Sequence, residues 1–391
     1  MSRGWGATGG YKRRILVLSC LALPIACAEE VTEVHVPARV AVEDLRIGSL
    51  DGPDEYLFGR VSGIAADHQG RIFVSDLHSH TIRAYRNDGE FLFTVARRGS
   101  GPGEVMDPCC LAIAPDGLLW VRDNGNGRYV ALEVGDADAR GVRTLRMNHA
   151  DLNRHAPTTF NPRGALIDIG SYSDPETGEA RTTLFHFGPD GVIERRVPAP
   201  SPPDPDALVH RLPMQVGEVS TIRFFYQPFG PRHLIAYGPG GIQADAVGST
   251  YAVRWFNPDG GLEGVISRPG ELGPRLTSAQ RTRADSMIDA DARRAGRAMP
   301  FRAPDRHPVL SALYFDQAGR LWVQRTALPG EPREVDVYDA EGVLVERILY
   351  PPGLELSYGV ISEAGMVGVV RNELDVPFVV RMRLEPIDGG T

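Results

Sequence analysis

The chain is poor in cysteine, has no excess of basic residues and lacks the common catalytic signatures. Its 391 residues include four cysteines, and the 42 basic residues are outnumbered by 50 acidic ones, which gives a formal net charge of −8. Because an acidic chain offers no attractive field to phosphates, we expect no nucleic-acid partner. The sequence contains no G-x-S-x-G, P-loop or H-E-x-x-H motif, which excludes the best-known hydrolase, nucleotide-binding and zinc-protease signatures.

The chain also lacks an apolar run long enough to span a bilayer. The apolar stretch Ile15–Ala26 follows three basic residues and precedes the small-residue sequence Ala26-Cys27-Ala28, which is typical of an export signal. We therefore predict a signal peptide over 1–28 and a periplasmic or extracellular protein. Two alternatives remain: ordinary cleavage, which Pro24 favours, and a lipoprotein with Cys27 as its lipidated residue. Only the second would attach the protein to a membrane.

The two remaining cysteines are adjacent in sequence. Cys109 and Cys110 stand at the start of a predicted strand, in a chain that we expect to meet an oxidising compartment. They form either a vicinal disulfide that responds to redox state or, as we favour, two small buried side chains. No C-x₂-C spacing typical of a metal site occurs.

Short strands separated by tight turns recur along the chain. Residues 61–117 contain four of them, with turns at Asp67–Gly70 and Asn87–Gly89, before a new unit begins near Pro108. Four short strands per repeat are typical of a β-propeller blade. A phrase of an aromatic residue, two variable residues, an acid and glycine recurs at Tyr85, Phe187, Phe256 and Tyr338. We predict that each aromatic packs in the core while the acid and glycine form the hairpin turn.

The repeats predict an all-β fold, a six-bladed β-propeller. We place a tether at 29–39, the propeller at 40–385 and a tail at 386–391, and we assign the strand at 40–48 to the last blade, where it closes the ring. The predicted blades cover six ranges: 60–97, 108–147, 161–198, 230–268, 308–350 and 356–385. We interpret Trp120 and Trp322 as packing residues between blades.

Two long insertions interrupt the repeats, at about 198–229 and 269–307. The second contains a predicted helix at about 277–295, between blades four and five, because Thr277 and Gln280 form a capping-box pattern and Gly296 suits its end. Its thin apolar stripe predicts that it lies on the propeller surface.

Residues 45–135 resemble the NHL repeat. The resemblance rests on Gly99-Ser-Gly-Pro-Gly-Glu104, on Pro108, on Asp116-Gly117 and on the spacing Asp123-x-x-Asn126-x-Arg128. The first unit departs from this pattern, with Ser79 and Thr81 in place of asparagine and arginine. The chain is similar to the NHL- and TolB-like six-bladed propellers of exported bacterial proteins. This resemblance implies a binding role and no particular reaction.

Strand parity places the short turns on one face of the propeller. The second face, which we call the loop-rich face, carries the connections between second and third strands and both insertions. Since long loops on a rigid scaffold often carry function, we expect a site there, at the mouth of the central channel.

The candidate residues on this face fall into three groups. Asp76, His78 and His80 form a D-x-H-x-H sequence, in which the histidines either bind a metal or are exposed loop residues beside a turn-capping aspartate, which we favour. Asp123, Asn124 and Asn126 either offer oxygen ligands to calcium or, as we favour, belong to the repeat's own turn. The third group lies between blades, and His233 and His307 could face the channel; its members are Arg232, His233, Arg306 and His307.

The sequence favours a non-catalytic, monomeric scaffold that binds an extracytoplasmic protein, peptide or glycan on its loop-rich face. We expect no cofactor. An alternative is a metal-dependent hydrolase or lyase at the channel mouth, with calcium or zinc as the metal. A third interpretation is a binding protein gated by the redox state of Cys109 and Cys110.

Overall fold

The computed structural model describes residues 36–387 except 148–150, 153–158, 162, 189 and 217–218. The predicted signal peptide 1–28, the lipidation candidate Cys27 and most of the predicted tether lie outside the described residues. The described part belongs to one compact unit, Val36–Thr391.

Two four-stranded antiparallel sheets of consecutive strands come first along this unit. The first sheet contains β2 (Val61–Ala66), β3 (Ile72–Asp76), β4 (Thr81–Tyr85) and β5 (Phe91–Ala96). The second contains β6 (Pro108–Ile113), β7 (Leu119–Asp123), β8 (Arg128–Val134) and β9 (Ala139–Arg146). Tight turns join neighbouring strands, and glycine supplies their left-handed position, as at Gly70 with φ 77° and Gly117 with φ 84°.

The third sheet has a divided first strand. Two short pieces, β10 (Asp151–Leu152) and β11 (Thr159–Phe160), both pair with β12 (Leu166–Ser173), which is followed by β13 (Ala180–Phe187) and β14 (Ile193–Pro198). The sequence-based start of this repeat at 161 was wrong. Asn161 begins the tight turn to β12, since its side chain accepts hydrogen bonds from the N–H groups of Arg163 and Ala165 at 2.9 Å each, so the first strand must precede it.

The fourth sheet follows a separate hairpin. The hairpin consists of β15 (His210–Val216) and β16 (Val219–Phe225). The sheet contains β17 (His233–Tyr237), β18 (Gln243–Val247), β19 (Ala252–Phe256) and β20 (Leu262–Ser267). Helix α1 (Ser278–Ala295) comes next in the chain. Thr277 and Gln280 form both hydrogen bonds of the capping box, and Gly296 ends the helix in the left-handed conformation.

The last strands and the N-terminal strand form one extended sheet. Its strands are β21 (Leu310–Phe315), β22 (Leu321–Arg325), β23 (Arg333–Tyr338), β24 (Leu344–Tyr350), β25 (Glu355–Ser362), β26 (Gly365–Arg371), β27 (Pro377–Pro386) and β1 (Ala38–Ile47). β1 is antiparallel to β27, and its first residues also run parallel to β24. The tether predicted over 29–39 is therefore too long. Ala38 and Arg39 belong to β1, where Arg39 forms an ion pair with Glu346.

Apolar side chains fill the spaces between consecutive sheets. Trp120 packs with Phe160 and Phe185 between the second and third sheets. In the extended sheet, Trp322 of β22 belongs to the same apolar cluster as Met382 of β27. Another cluster contains Ile47 of β1, Val379 of β27 and Tyr85 of β4, so it connects the extended sheet to the first sheet. The prediction of an all-β propeller with a helix is confirmed.

Candidate functional site

Asp76 and Asp123 occupy equivalent positions at the ends of second strands, and the chain itself uses both carboxylates. Buried Asp76 accepts hydrogen bonds from the backbone N–H groups of Gly59, Arg60 and His78 at 3.1, 2.8 and 3.0 Å, and from the Ser79 hydroxyl at 3.1 Å. These bonds fix the segment that enters the first sheet. Asp76 therefore acts as the organising residue of its loop.

Asp123 repeats this arrangement in the second sheet. Its carboxylate accepts from the backbone of Met106 and Asp107 at 2.9 and 3.1 Å, from Asn126 at 2.6 Å and from Arg128 at 3.2 Å. Asn126 and Arg128 in turn donate to carbonyls of the glycine-rich loop, including that of Gly99 at 2.9 Å and that of Gly101 at 3.0 Å. The spacing that resembles the NHL repeat thus holds the glycine-rich loop 99–104 against the second sheet.

The remaining candidates of these two loops contact separate partners. His78 is exposed, His80 has φ 56° and bonds through Nδ1 to the carbonyl of Met106, and Asn124 donates to Sγ of Cys109 at 3.4 Å. Within the described ranges, no group of three or more histidine, cysteine, aspartate or glutamate side chains is placed to hold a metal ion.

Cys109 and Cys110 are joined as a disulfide. Both side chains are buried, and Cys110 has a left-handed backbone with φ 58°. The register of β6 against β7 shifts between Cys109 and Ala112. The structure thus combines the two sequence-based interpretations, since the pair is both bonded and buried.

His233 is held by a buried carboxylate. Its Nε2 lies 2.7 Å from Oδ2 of Asp245, which also accepts from Arg254 at 2.6 Å. Burial favours the neutral form of Asp245, but the hydrogen bonds from His233 and Arg254 outweigh it and hold the pKa of this carboxyl below its usual value. Arg254 also donates to the carbonyl of Ser201 at 2.7 Å, which ties the first insertion to the fourth sheet.

The two insertions meet near His307. The His307 ring contacts the Phe229 ring edge to face at a centroid distance of 5.3 Å, and its Nε2 lies 3.2 Å from Oε1 of Gln280 in α1. Burial lowers the pKa of His307. Gln227 of the first insertion donates to the carbonyl of Arg302 of the second at 2.8 Å. The two insertions therefore contact each other directly.

The two arginine candidates have different surroundings. The exposed Arg232 places its guanidinium 4.2 Å from the centroid of the Tyr226 ring. Arg306 donates to the carbonyl of Gly273 at 2.9 Å and is partly buried. Arg232 is thus available to a ligand, whereas Arg306 links two parts of the second insertion.

A cavity of about 390 Å³ lies at the other end of the first strands. Its lining is mainly apolar and comes from β2, β6, β11, β17, β21 and β25 and from the turns that follow them, through residues such as Ile64, Leu111, Phe160, Tyr237 and Phe315. The sequence predicts a site at the loop-rich mouth, where His233 and His307 could face the channel. This cavity lies at the opposite ends of the first strands, and neither histidine is among its lining residues.

Sequence reasoning missed two buried charge clusters and the hairpin. Arg122 and Asp168 are both fully buried, and Nη2 of the arginine lies 3.3 Å from Oδ2 of the aspartate. Buried Asp336 accepts from the Tyr251 hydroxyl at 2.5 Å and contacts Arg325 at 3.0 Å. Nothing in the local sequence marks these pairs. The hairpin had a signal that we overlooked, since β-branched and aromatic residues are frequent over Val219–Phe225.

These features define a β-propeller with long loops on one face. A protein family described as a 6-bladed beta-propeller matches residues 40–117. No curated protein matches the chain. Among the described residues, none of the helices has the length and apolar character needed to cross a bilayer.

Several solved structures are similar to this chain. A Bacteroides fragilis protein described as exported has 13% identity and a TM-score of 0.46 over 90% of this chain and 100% of that one. The PQQ-bound form of an aldose sugar dehydrogenase from Streptomyces coelicolor has 11% identity and a TM-score of 0.45, with the same coverage. A virginiamycin B lyase from Staphylococcus aureus has 12% identity and a TM-score of 0.40 over 83% of this chain and 95% of that one.

Proposed function

We propose that this protein is an exported six-bladed propeller that binds a protein, peptide or glycan on its loop-rich face without catalysing a reaction. The observation that carries the proposal is the direct contact between the two insertions, through Gln227 with Arg302 and Phe229 with His307. Two long loops that pack on each other form a defined surface, and long loops on a rigid scaffold commonly carry recognition.

Three observations support six blades. The first strands β2, β6, β11, β17, β21 and β25 border one cavity. Apolar clusters connect each group of strands to the next and the last group to the first, as Ile47, Val379 and Tyr85 illustrate. The family that matches residues 40–117 is described as six-bladed. In this arrangement β1 is the outer strand of the last blade, and α1 lies between blades four and five.

The occupied carboxylates support binding over catalysis. Asp76 and Asp123 each accept four hydrogen bonds or ion pairs from the chain itself. A carboxylate whose acceptor sites are filled in this way serves as a turn anchor rather than as a general base. The contacts of Asp123 with Asn126 and Arg128 support the NHL-like assignment, and the basic and apolar N-terminal sequence supports export.

A steric block of one face tests this proposal. Met287 on α1 is 44% exposed, and Val343, in the short turn between β23 and β24, is 56% exposed. Each is replaced by cysteine in the chain without residues 1–28 and coupled to a maleimide polyethylene glycol. The native cysteines that remain there, Cys109 and Cys110, are buried and bonded, so the reagent is directed to the new thiol. Binding to peptide-display libraries and glycan arrays is then compared with that of the unmodified chain.

We expect the polymer at Met287→Cys to abolish binding and the polymer at Val343→Cys to leave it unchanged. Loss of binding in the second variant alone would assign recognition to the short-turn face and refute the proposal. Failure of the unmodified chain to bind any peptide or glycan would also count against it.

A further inference from the structure

The hairpin of β15 and β16 presents an apolar face to solvent. Ile222, Phe224 and Tyr226 are 57%, 53% and 46% exposed. Ile222 and Phe224 alternate in β16 and so lie on the same face, and Tyr226 follows directly after the last residue of the strand. The opposite face is packed, since Leu212 and Phe225 are 7% and 3% exposed. Large apolar side chains grouped on an exposed surface typically mark an interaction site.

One edge of this hairpin is open to a further strand. Among the described residues, β15 and β16 pair only with each other, with Pro213 opposite Ile222. Since proline has no N–H group, this is a pair whose backbone groups point away from the partner strand. Proline thus removes a donor from the outer edge of β15, while the outer edge of β16 keeps the N–H and C=O groups of Ser220, Ile222 and Phe224.

Arginines surround the aromatic end of the apolar face. Arg211 lies opposite Phe224 in the ladder and pairs with Asp206 at 2.9 Å, and Arg232 covers the Tyr226 ring. Arg232 has no carboxylate partner among the described residues. Lys12 is the only lysine of the chain, so the cations near the hairpin are guanidinium groups, which suit carboxylates particularly well.

We propose that β16 binds an extended peptide segment of a partner protein, which adds as a third strand and carries carboxylates beside apolar residues. Its backbone would pair with the edge groups of Ser220, Ile222 and Phe224, its apolar side chains would cover the exposed face, and its carboxylates would meet Arg211 and Arg232. The proposal rests on the proposed loop-face function and names the class of partner. A second copy of this chain suits the surface less well, because it would place the same arginines against each other.

The hairpin is already fixed at both ends, which favours binding. Before the hairpin, the carbonyl of Ser201 accepts a hydrogen bond from Arg254. After the hairpin, the side chain of Gln227 donates to the carbonyl of Arg302. Pairing with a preformed edge requires little ordering of the protein itself. Only the peptide has to become ordered.

Peptides selected from a random display library on the full chain test the inference. Selected peptides are synthesised and titrated against the wild type and against the variants Ile222→Ala, Ile222→Pro and Leu262→Ala. Leu262 is the matched control, because it is an exposed strand residue whose exposed fraction, 57%, equals that of Ile222. Ile222→Pro additionally removes the outward N–H, so its comparison with Ile222→Ala isolates the backbone contact.

We expect the selected peptides to be rich in carboxylates next to apolar residues. Their Kd should weaken about tenfold in Ile222→Ala and about tenfold more in Ile222→Pro, and should stay within about twofold in Leu262→Ala. Hydrogen exchange should slow at the amides of Ser220, Ile222 and Phe224 when peptide is bound. Melting temperatures should remain equal, because the changed side chains are exposed.

Three results would overturn the inference. The first is equal affinity for the wild type and Ile222→Pro, and the second is a selection without enrichment or without carboxylates. The third is binding to glycans or to vesicles containing phosphatidylglycerol that Ile222→Ala abolishes. Ligands blocked by the polymer at Met287→Cys but indifferent to the hairpin variants would leave the loop-face function standing and refute only the peptide partner.

Discussion

The buried ion pair of Arg122 and Asp168 can be removed in two ways that should differ in their effect on stability. Arg122 on β7 and Asp168 on β12 are both fully buried, and their nearest charged atoms are 3.3 Å apart. Asp168→Leu alone leaves a buried guanidinium without this counter-charge. The double variant Arg122→Met with Asp168→Leu replaces both groups with apolar side chains of similar volume.

The expected magnitudes follow from the cost of burying charge. Removal of one partner of a buried pair destabilises a protein by about 3–5 kcal/mol, whereas apolar replacement of both is often neutral or stabilising. We therefore expect that, at pH 7, Asp168→Leu lowers the free energy of unfolding by about 4 kcal/mol and the double variant lies within about 1 kcal/mol of the wild type.

The pH dependence provides an independent signature. Burial raises the pKa of Asp168 to about 6, although the charge of Arg122 opposes this rise. Because the folded pKa lies above the unfolded one, the stabilising contribution of this group is fully present below about pH 4 and is lost as the pH rises through about 6. The double variant should therefore gain about 3 kcal/mol relative to the wild type between pH 4 and pH 7.

Urea unfolding monitored by tryptophan fluorescence measures these differences, since Trp120 packs between the same two sheets. Equal m-values would show that the variants unfold from comparable native states. A double variant that is as unstable as Asp168→Leu would refute the reasoning, because apolar replacement of both groups would then cost as much as leaving the guanidinium without Asp168. A pH-independent difference between the double variant and the wild type would refute the assigned pKa shift.

Three further predictions concern the candidate site residues. Asp123→Ala should lower the free energy of unfolding by about 3 kcal/mol in denaturant titrations, because it strands several donors, whereas Asp116→Ala, at an exposed turn, should cost less than about 1 kcal/mol; equal costs would contradict the anchoring role. Elemental analysis of the purified chain in chelator-free buffer should find no stoichiometric zinc or calcium, and a bound metal that disappears in His78→Ala would instead support the hydrolase or lyase alternative. Asp245→Asn should destabilise the protein at pH 7 and progressively less below about pH 4, since the lowered pKa of Asp245 stabilises the fold only while the carboxylate is ionised; a constant difference in urea midpoint between pH 7 and pH 3 would argue against the ion pair with Arg254.

Local sequence determined the repeating strands, their turns and the helix. Gly89 and Gly117 adopt the left-handed turn conformation that their acid-glycine contexts predict, and Thr277 and Gln280 form the expected cap of α1. These features depend on φ preferences and on hydrogen bonds between residues a few positions apart. Such information is contained in short stretches of the chain, so the propeller fold could be inferred without any long-range contact.

The partners of the candidate residues were decided by tertiary structure alone. His233 meets Asp245, and His307 meets Phe229 of a different insertion. The pairing of Arg122 with Asp168 joins two different sheets and has no counterpart in local sequence. The chemistry of a side chain limits which groups it can bind. Only the packing of distant segments decides which group it contacts and whether water reaches it.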